Sequence, residues 1–316
     1  MRDSHGIVTI DTGYQRPNFC AAYLIVERGR AAFVDCGTNR SVPRLLAALD
    51  AQGLSREAVD WLILTHVHLD HAGGAGSLMR ALPNATLVVH PRGAPHMIDP
   101  AKLAAGATAV YGEAEFENSY GTLVPVPESR VTAAGDGRVV DLAGRPLLCA
   151  DTPGHARHHL AVWDARSRSW FAGDIFGLSY REFDTARGAF AIPTTSPVQF
   201  DPEAMRASVR RLLGEAPEAV YVTHYGRVTD VQRLGADLIA LVEATVAAAR
   251  RLDGDGQRHA RLVEALTRIY VERAQRHGVS DAQRAVPALL AMDIELNAQG
   301  LEVWLDREER GTRNEE

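Results

Sequence analysis

The segment Thr65-His66-Val67-His68-Leu69-Asp70-His71 restricts this chain more than any other, packing three imidazoles and a carboxylate into six positions. Such a density of nitrogen and oxygen donors points to bound metal. The residues before it, 61–65, form a continuous apolar run of the kind that is buried in a sheet. The motif therefore sits at the C-terminal end of a buried strand. In extended backbone, residues two apart point the same way, so His66 and His68 can grip one ion from a single strand end. Asp70 and His71 lie past that end and can turn to a second ion. Gly73 and Gly74 follow at once, and their missing side chains permit the sharp turn and close backbone approach that this crowding demands.

Strand signals surround the motif. Residues 7–10, 21–26 and 31–35 read as strands, with 27–30 as a glycine-containing hairpin connection. Ser41 is a candidate helix cap, and Leu45, Leu46 and Leu49 after Pro43 repeat at helical spacing until Gly53. Further strands are expected at 86–89, 139–142, 147–150, 159–163, 170–172 and 219–223. Residues 93–121 read as helical or irregular, and 123–127 as a proline-interrupted edge. Asp201-Pro202-Glu203 carries a helix cap, a first-position proline and an early carboxylate in order, with Met205, Val209, Leu212 and Leu213 turned inward before Gly214.

From residue 230 strand signals vanish and three helical stretches follow, about 230–252, 257–277 and 281–309. The turn 253–256 separates the first two, and Gly278 ends the second. Leu262, Leu266, Ile269 and Tyr270 recur as a packing face. Two domains are expected, 1–229 and 230–316.

Bulk properties weigh against several functions. A formal charge of −6 gives no basic footprint for neutralising phosphates, so nucleic acid is not an expected partner. No stretch approaches the roughly 18 apolar residues of a membrane span, and residues 1–10 lack a basic segment followed by an apolar one. These features predict a soluble, cytoplasmic protein that binds neither membrane nor nucleic acid. Cys20, Cys36 and Cys149 are isolated and without CxxC spacing, so they read as small buried residues.

Two ions need more ligands than one motif holds. Three more candidates stand at the ends of expected strands beside turns: His155 in Asp151-Thr152-Pro153-Gly154-His155, Asp174 in Phe171-Ala172-Gly173-Asp174, and His224 in Val222-Thr223-His224. With these the chain resembles the metallo-β-lactamase superfamily over about residues 7–228. The resemblance implies an α/β fold, the αβ/βα sandwich with a dinuclear site at one edge of its sheets, here with a helical C-terminal extension. It further implies that His66, His68 and His155 bind one ion and Asp70, His71 and His224 the other. Asp174 would bridge them, together with a water or hydroxide. Asp35, in Phe33-Val34-Asp35-Cys36-Gly37, matches an early aspartate motif and would orient a ligand imidazole, as outer carboxylates do. His159 would hydrogen-bond near the site.

A hydroxide held between two dications is a nucleophile at neutral pH, and the same ions stabilise the oxyanion that forms on a carbonyl. Asp70 would orient the hydroxide and receive its proton. The expected activity is metal-dependent hydrolysis of a small carboxylic ester, lactone or thioester, in the manner of the glyoxalase II type thioesterases and lactonases. Aspartate at 174, where true β-lactamases of the family commonly carry cysteine, argues against antibiotic hydrolysis as the main activity. Alternatives are a phosphodiesterase, a single-iron sulfur dioxygenase, and a signalling or scaffold protein with incidental hydrolysis. Two divalent ions are expected, zinc first, with iron or manganese compatible with the same donors. Residues 175–199 form a long irregular rim, in which Tyr180, like Tyr225 beyond it, is a candidate donor to the oxyanion. The partner is a small-molecule substrate, and the C-terminal helices offer a homodimer interface.

Overall fold

The apolar runs become strands because alternate residues find cover on both faces. In β2 (Ala21–Glu27), Ala21, Tyr23 and Ile25 enter one core while Ala22, Leu24 and Val26 enter another. The computed structural model describes residues 3–195, 198–252 and 257–313. The expected turn at 253–256, and Ser196 and Pro197 of the expected rim, lie outside the described residues. The chain divides into two compact units, one of Met1–Asp151, His158–Gly173 and Glu218–Arg227, the other of Thr152–Arg157, Asp174–Pro217 and Val228–Glu316.

Among the described residues the first unit is built on two six-stranded sheets. One sheet has the order β1 (Ile7–Asp11), β2, β3 (Arg30–Val34), β4 (Val59–Ile63), β5 (Thr86–Val89) and β6 (Val131–Ala133). Its first three strands are antiparallel and the rest join in parallel. Between β2 and β3, Arg28 and Gly29 both have positive φ, the two-residue turn whose twist matches a hairpin. The other sheet holds β7 (Val139–Leu142), β8 (Arg145–Asp151), β9 (Leu160–Asp164), β10 (Ser169–Gly173), β11 (Ala219–Val222) and β12 (Gly226–Val228), in adjacent order from β12 back to β7.

The sheets share one core, in which Tyr23, Ile25, Val34 and Ile63 of the first meet Leu147, Val162, Phe171 and Tyr221 of the second. The first sheet's outer face is covered by α1 (Val42–Asp50), α3 (Ala75–Ala81) and α4 (Ala94–Ile98), through Leu45, Leu49, Leu78, Met79 and Met97. The short turn α2 (Leu69–Ala72) precedes α3, and α5 (Ala101–Tyr111) and α6 (Glu113–Ser119) fill the irregular region. Ser41 stands before α1, but its hydroxyl accepts from the Thr38 amide and does not cap that helix. Residues 123–127 are not the edge strand, because Pro125 and Pro127 have no N–H to offer a ladder. The edge is β6, paired in parallel with β5.

The second unit is mainly helical. In α7 (Pro202–Gly214) the Asp201 carboxylate accepts from the Ala204 amide at 3.0 Å, as the cap signal predicts. Then come α8 (Val231–Arg251), α9 (Arg258–His277), α10 (Ala282–Leu289) and α11 (Ala291–Arg313), with α9 packed on the other three. The single helix expected at 281–309 is thus two. Pro287 lies inside α10, where it has no N–H for the helix ladder, and the break falls three residues later at Leu290. Among the described residues no helix is long and apolar enough to cross a membrane.

Candidate metal centre

The histidine motif is held from behind by one buried carboxylate. Asp35 follows β3 with φ of 57°, a left-handed conformation that aspartate tolerates better than most residues. Its oxygens accept from the Thr65 amide at 2.8 Å, the Thr65 hydroxyl at 2.8 Å, His71 Nδ1 at 3.0 Å and the Thr223 hydroxyl at 3.2 Å. Thr65 and Thr223 immediately precede His66 and His224. One side chain thereby fixes two strand ends and an imidazole.

His71 and His224 present the same ring nitrogen. His71 donates Nδ1–H to Asp35, and His224 donates Nδ1–H to the Phe19 carbonyl at 2.8 Å. With Nδ1 engaged in each, Nε2 is the ring nitrogen left to meet a partner, as a donor when the ring is protonated and through its lone pair when the ring is neutral. His224 Nε2 lies 3.1 Å and His71 Nε2 3.4 Å from Oδ2 of Asp70. Burial works to raise the Asp70 pKa, but the charge and Nε2–H hydrogen bonds of His71 and His224 in their protonated form outweigh it and hold the carboxyl well below the usual carboxylate range. Beside them, His66 Nε2 lies 3.0 Å from His68 Nδ1, and Thr65 Oγ1 lies 3.1 Å from His66 Nδ1. The crowding rests on close packing behind the motif, since a Cβ on Gly74 would meet the Thr38 carbonyl at 2.6 Å.

His155 and Asp174 belong to the second unit and come together there. His155 Nε2 is 3.6 Å from Asp174 Oδ2, and its Nδ1 donates to the Thr194 carbonyl at 3.2 Å. The Thr194 hydroxyl donates to the Asp174 carbonyl at 2.9 Å. Gly154 sets the turn, with φ of 134° and no room for a Cβ, which would stand 2.3 Å from Met205 backbone atoms of α7. Thr194 is fixed in turn through Thr195, whose amide donates to Asn297 Oδ1 at 2.7 Å and whose hydroxyl donates to the Asn297 carbonyl at 2.9 Å.

The remaining candidates are placed as follows. His159 is buried, its ring stacked 5.0 Å from that of His66. Tyr225 packs against the core between the sheets. Tyr180 is buried in the second unit, where its hydroxyl donates to Asp293 at 3.2 Å. Three supporting side chains, Thr65, Thr223 and Asn297, escape a reading of the sequence. The threonines before His66 and His224 are signalled only by a repeated Thr-His pair at two strand ends. Asn297 carries no signal at all. His259, in α9, bridges Glu302 at 2.7 Å and Glu295 at 3.0 Å.

The donor set suits divalent cations, since imidazole and carboxylate together accept zinc, iron or manganese. The pre-set tautomers present ring nitrogens to an ion without further adjustment.

Comparison with known proteins agrees with this chemistry. The sequence pattern described as the metallo-beta-lactamase superfamily matches residues 16–224. The chain is 26% identical over 229 residues to the metallo-beta-lactamase fold-containing protein ST1585 of Sulfurisphaera tokodaii, covering 71% of this chain and 80% of that protein. The crystal structure of ST1585 superposes with a TM-score of 0.64 at 22% identity, over 95% of this chain and 99% of that one, and so shares its fold. A hydroxyacylglutathione hydrolase of Stenotrophomonas maltophilia is 30% identical over 156 residues, 49% of this chain and 45% of the enzyme. An atrochrysone carboxyl ACP thioesterase of Aspergillus fumigatus is 26% identical over 153 residues, 48% of this chain and 38% of the enzyme.

Proposed function

Because the chain belongs to the metallo-β-lactamase superfamily, we propose that it is a dinuclear metal-dependent hydrolase of a small carboxylic ester, lactone or thioester. In this reading His66, His68 and His155 hold one ion, Asp70, His71 and His224 hold the second, and Asp174 serves both. The chemistry belongs to residues 1–229, and the helical residues 230–316 support it. The observation that carries the reading is the convergence on Asp70, where two imidazoles with Nδ1 already engaged aim Nε2 at one carboxylate oxygen. Two relatives are named for hydrolysis, one of them a thioesterase, which supports ester-type substrates.

Two divalent ions, zinc by first expectation, would polarise the scissile carbonyl and bring the pKa of water from 15.7 toward about 7. The chain supplies the rest. Asp70 stays ionised through neutral pH, so it accepts a hydrogen bond from the attacking water and fixes its orientation. Asp35 holds the His71 ring in one tautomer, and the Thr194 carbonyl does the same for His155.

Elemental analysis combined with a panel of lactones, thioesters and a bis-aryl phosphodiester tests the reading. About two ions per chain and turnover of the carboxylic substrates are expected. One iron per chain with oxygen uptake, or a preference for the phosphodiester, overturns it. Asp174→Ala and His68→Ala should each reduce hydrolysis to background while circular dichroism stays unchanged.

A further inference from the structure

Beyond the seven side chains above, a sulfur atom stands beside two of those proposed to hold the second ion. Cys20 Sγ, a carboxylate oxygen of Asp70 and a ring nitrogen of His224 all lie within 4.8 Å of one another. Cys20 is fully buried and not in a disulfide. Its backbone is fastened on both sides to the segment that carries His224. The Phe19 carbonyl accepts from His224 Nδ1 at 2.8 Å, and the Ala21 amide donates to the Thr223 carbonyl at 2.8 Å. The Cys20 carbonyl itself accepts the Thr12 hydroxyl at 2.9 Å. The sulfur is therefore placed by a rigid frame, and it approaches Asp70 closely enough to donate to its backbone carbonyl at 3.2 Å.

The other two cysteines provide the contrast. Cys36 is also buried and donates to the His71 carbonyl at 3.2 Å, yet it joins no such donor group among the described residues. Burial pushes the Cys36 thiol well above its ordinary pKa, and that of Cys149 to about 12. Cys149 lies in the apolar core between the sheets, and Cys36 lies behind the motif beside Asp35. Among the three, Cys20 is the one whose sulfur joins carboxylate and imidazole atoms in a group compact enough to hold an ion, among the described residues.

We infer that Cys20 is a sulfur ligand to the ion held by Asp70, His71 and His224, an inference that rests on the dinuclear reading. On binding, the thiol releases its proton to solvent, gives up the hydrogen bond to the Asp70 carbonyl and forms a metal–sulfur bond. No oxidation or reduction is involved. A thiolate is a soft donor, so its presence in an otherwise nitrogen and oxygen set biases the site toward zinc and cobalt(II) and away from manganese.

Cobalt(II) titration of the metal-free full-length protein, followed by absorption, tests this directly. Histidine and aspartate ligands give weak visible bands, whereas a coordinated thiolate adds an intense near-ultraviolet charge-transfer band. Wild type and Cys36→Ser should both show that band. Cys20→Ser should lose it, keep the visible bands, and bind zinc on the order of tenfold more weakly with little change toward manganese. Visible bands without the near-ultraviolet band in wild type, or a band that survives in Cys20→Ser, would overturn the assignment and leave the dinuclear reading standing. Failure of wild type to take up cobalt or zinc at all would remove both.

Discussion

A buried carboxylate that satisfies several donors is costly to alter, because each donor loses its partner when the oxygen goes. Asp35 is 1% exposed and takes the Thr65 amide and hydroxyl, the His71 imidazole and the Thr223 hydroxyl. Replacing it with asparagine puts an NH2 where one oxygen stood, so at least one donor is left facing another donor. Asp35→Asn should therefore cost about 1–3 kcal/mol of stability. It should also weaken metal binding about 10- to 100-fold, the usual effect of losing a carboxylate that orients a ligand histidine. Competition with a chromophoric chelator measures the second quantity, and unchanged affinity would separate Asp35 from the site. At this scale the sequence is informative where residues cluster, as in 65–71, and silent where they act singly. Cys20 and Asn297 stand alone in the chain, and only the folded backbone brings them to their partners.

Elements transmit as well as support. Asn297, in α11, accepts from the Thr195 amide and donates to the Pro193 carbonyl at 2.9 Å and to Tyr270 Oη of α9 at 3.1 Å. It thus clamps the irregular segment 193–195, whose Thr194 touches both His155 and Asp174. The helices after residue 230 reach two proposed ligands by this route. Asn297→Ala should lower metal affinity about tenfold or more while the chain stays folded. Leu262→Ala, a buried apolar change in α9, should lower the melting temperature but leave metal affinity in place; equal loss of affinity in both would reduce Asn297 to ordinary packing. The same helices carry a pH-dependent contact. Burial disfavours charge on His259, but hydrogen bonds to Glu302 and Glu295 outweigh it and raise its pKa above the ordinary value. A raised folded pKa means stabilisation that is complete below about 6.5 and is lost as pH climbs through the folded value. The melting difference between wild type and His259→Gln should shrink accordingly as pH rises, and a constant difference would refute the contact's role. Long periodic elements such as α7 and α9 are legible from sequence because their apolar faces repeat. The three-residue strands β6 and β12 are not, since so short a ladder leaves no pattern, and the division of the last helical stretch depends on one proline.

For the molecule as a whole, the alternation that fills two cores from one strand makes the sandwich legible, and it also fixes where ligands can stand. β4 and β11 end beside Asp35, and β10 ends beside Asp174, so the donor side chains lie on loops and on the short turn α2, just past strand ends. Nδ1 of His71, His155 and His224 is already engaged with a carboxylate or carbonyl. Folding thus bears the cost of orienting these rings, and metal binding is not required to do so again. Ions bound to such a framework add their binding free energy to the stability of the folded chain, about 2.7 kcal/mol when free metal is a hundredfold above its dissociation constant. Removing metal by dialysis against a chelator should accordingly lower the melting temperature by several degrees while leaving the far-ultraviolet circular dichroism unchanged at room temperature. Adding zinc should restore it, and the increment should depend on zinc concentration. The increment should be much reduced in Asp174→Ala, because that change removes the carboxylate assigned to both ions. A melting temperature indifferent to metal, or equally responsive in Asp174→Ala, would mean that the ions bind elsewhere.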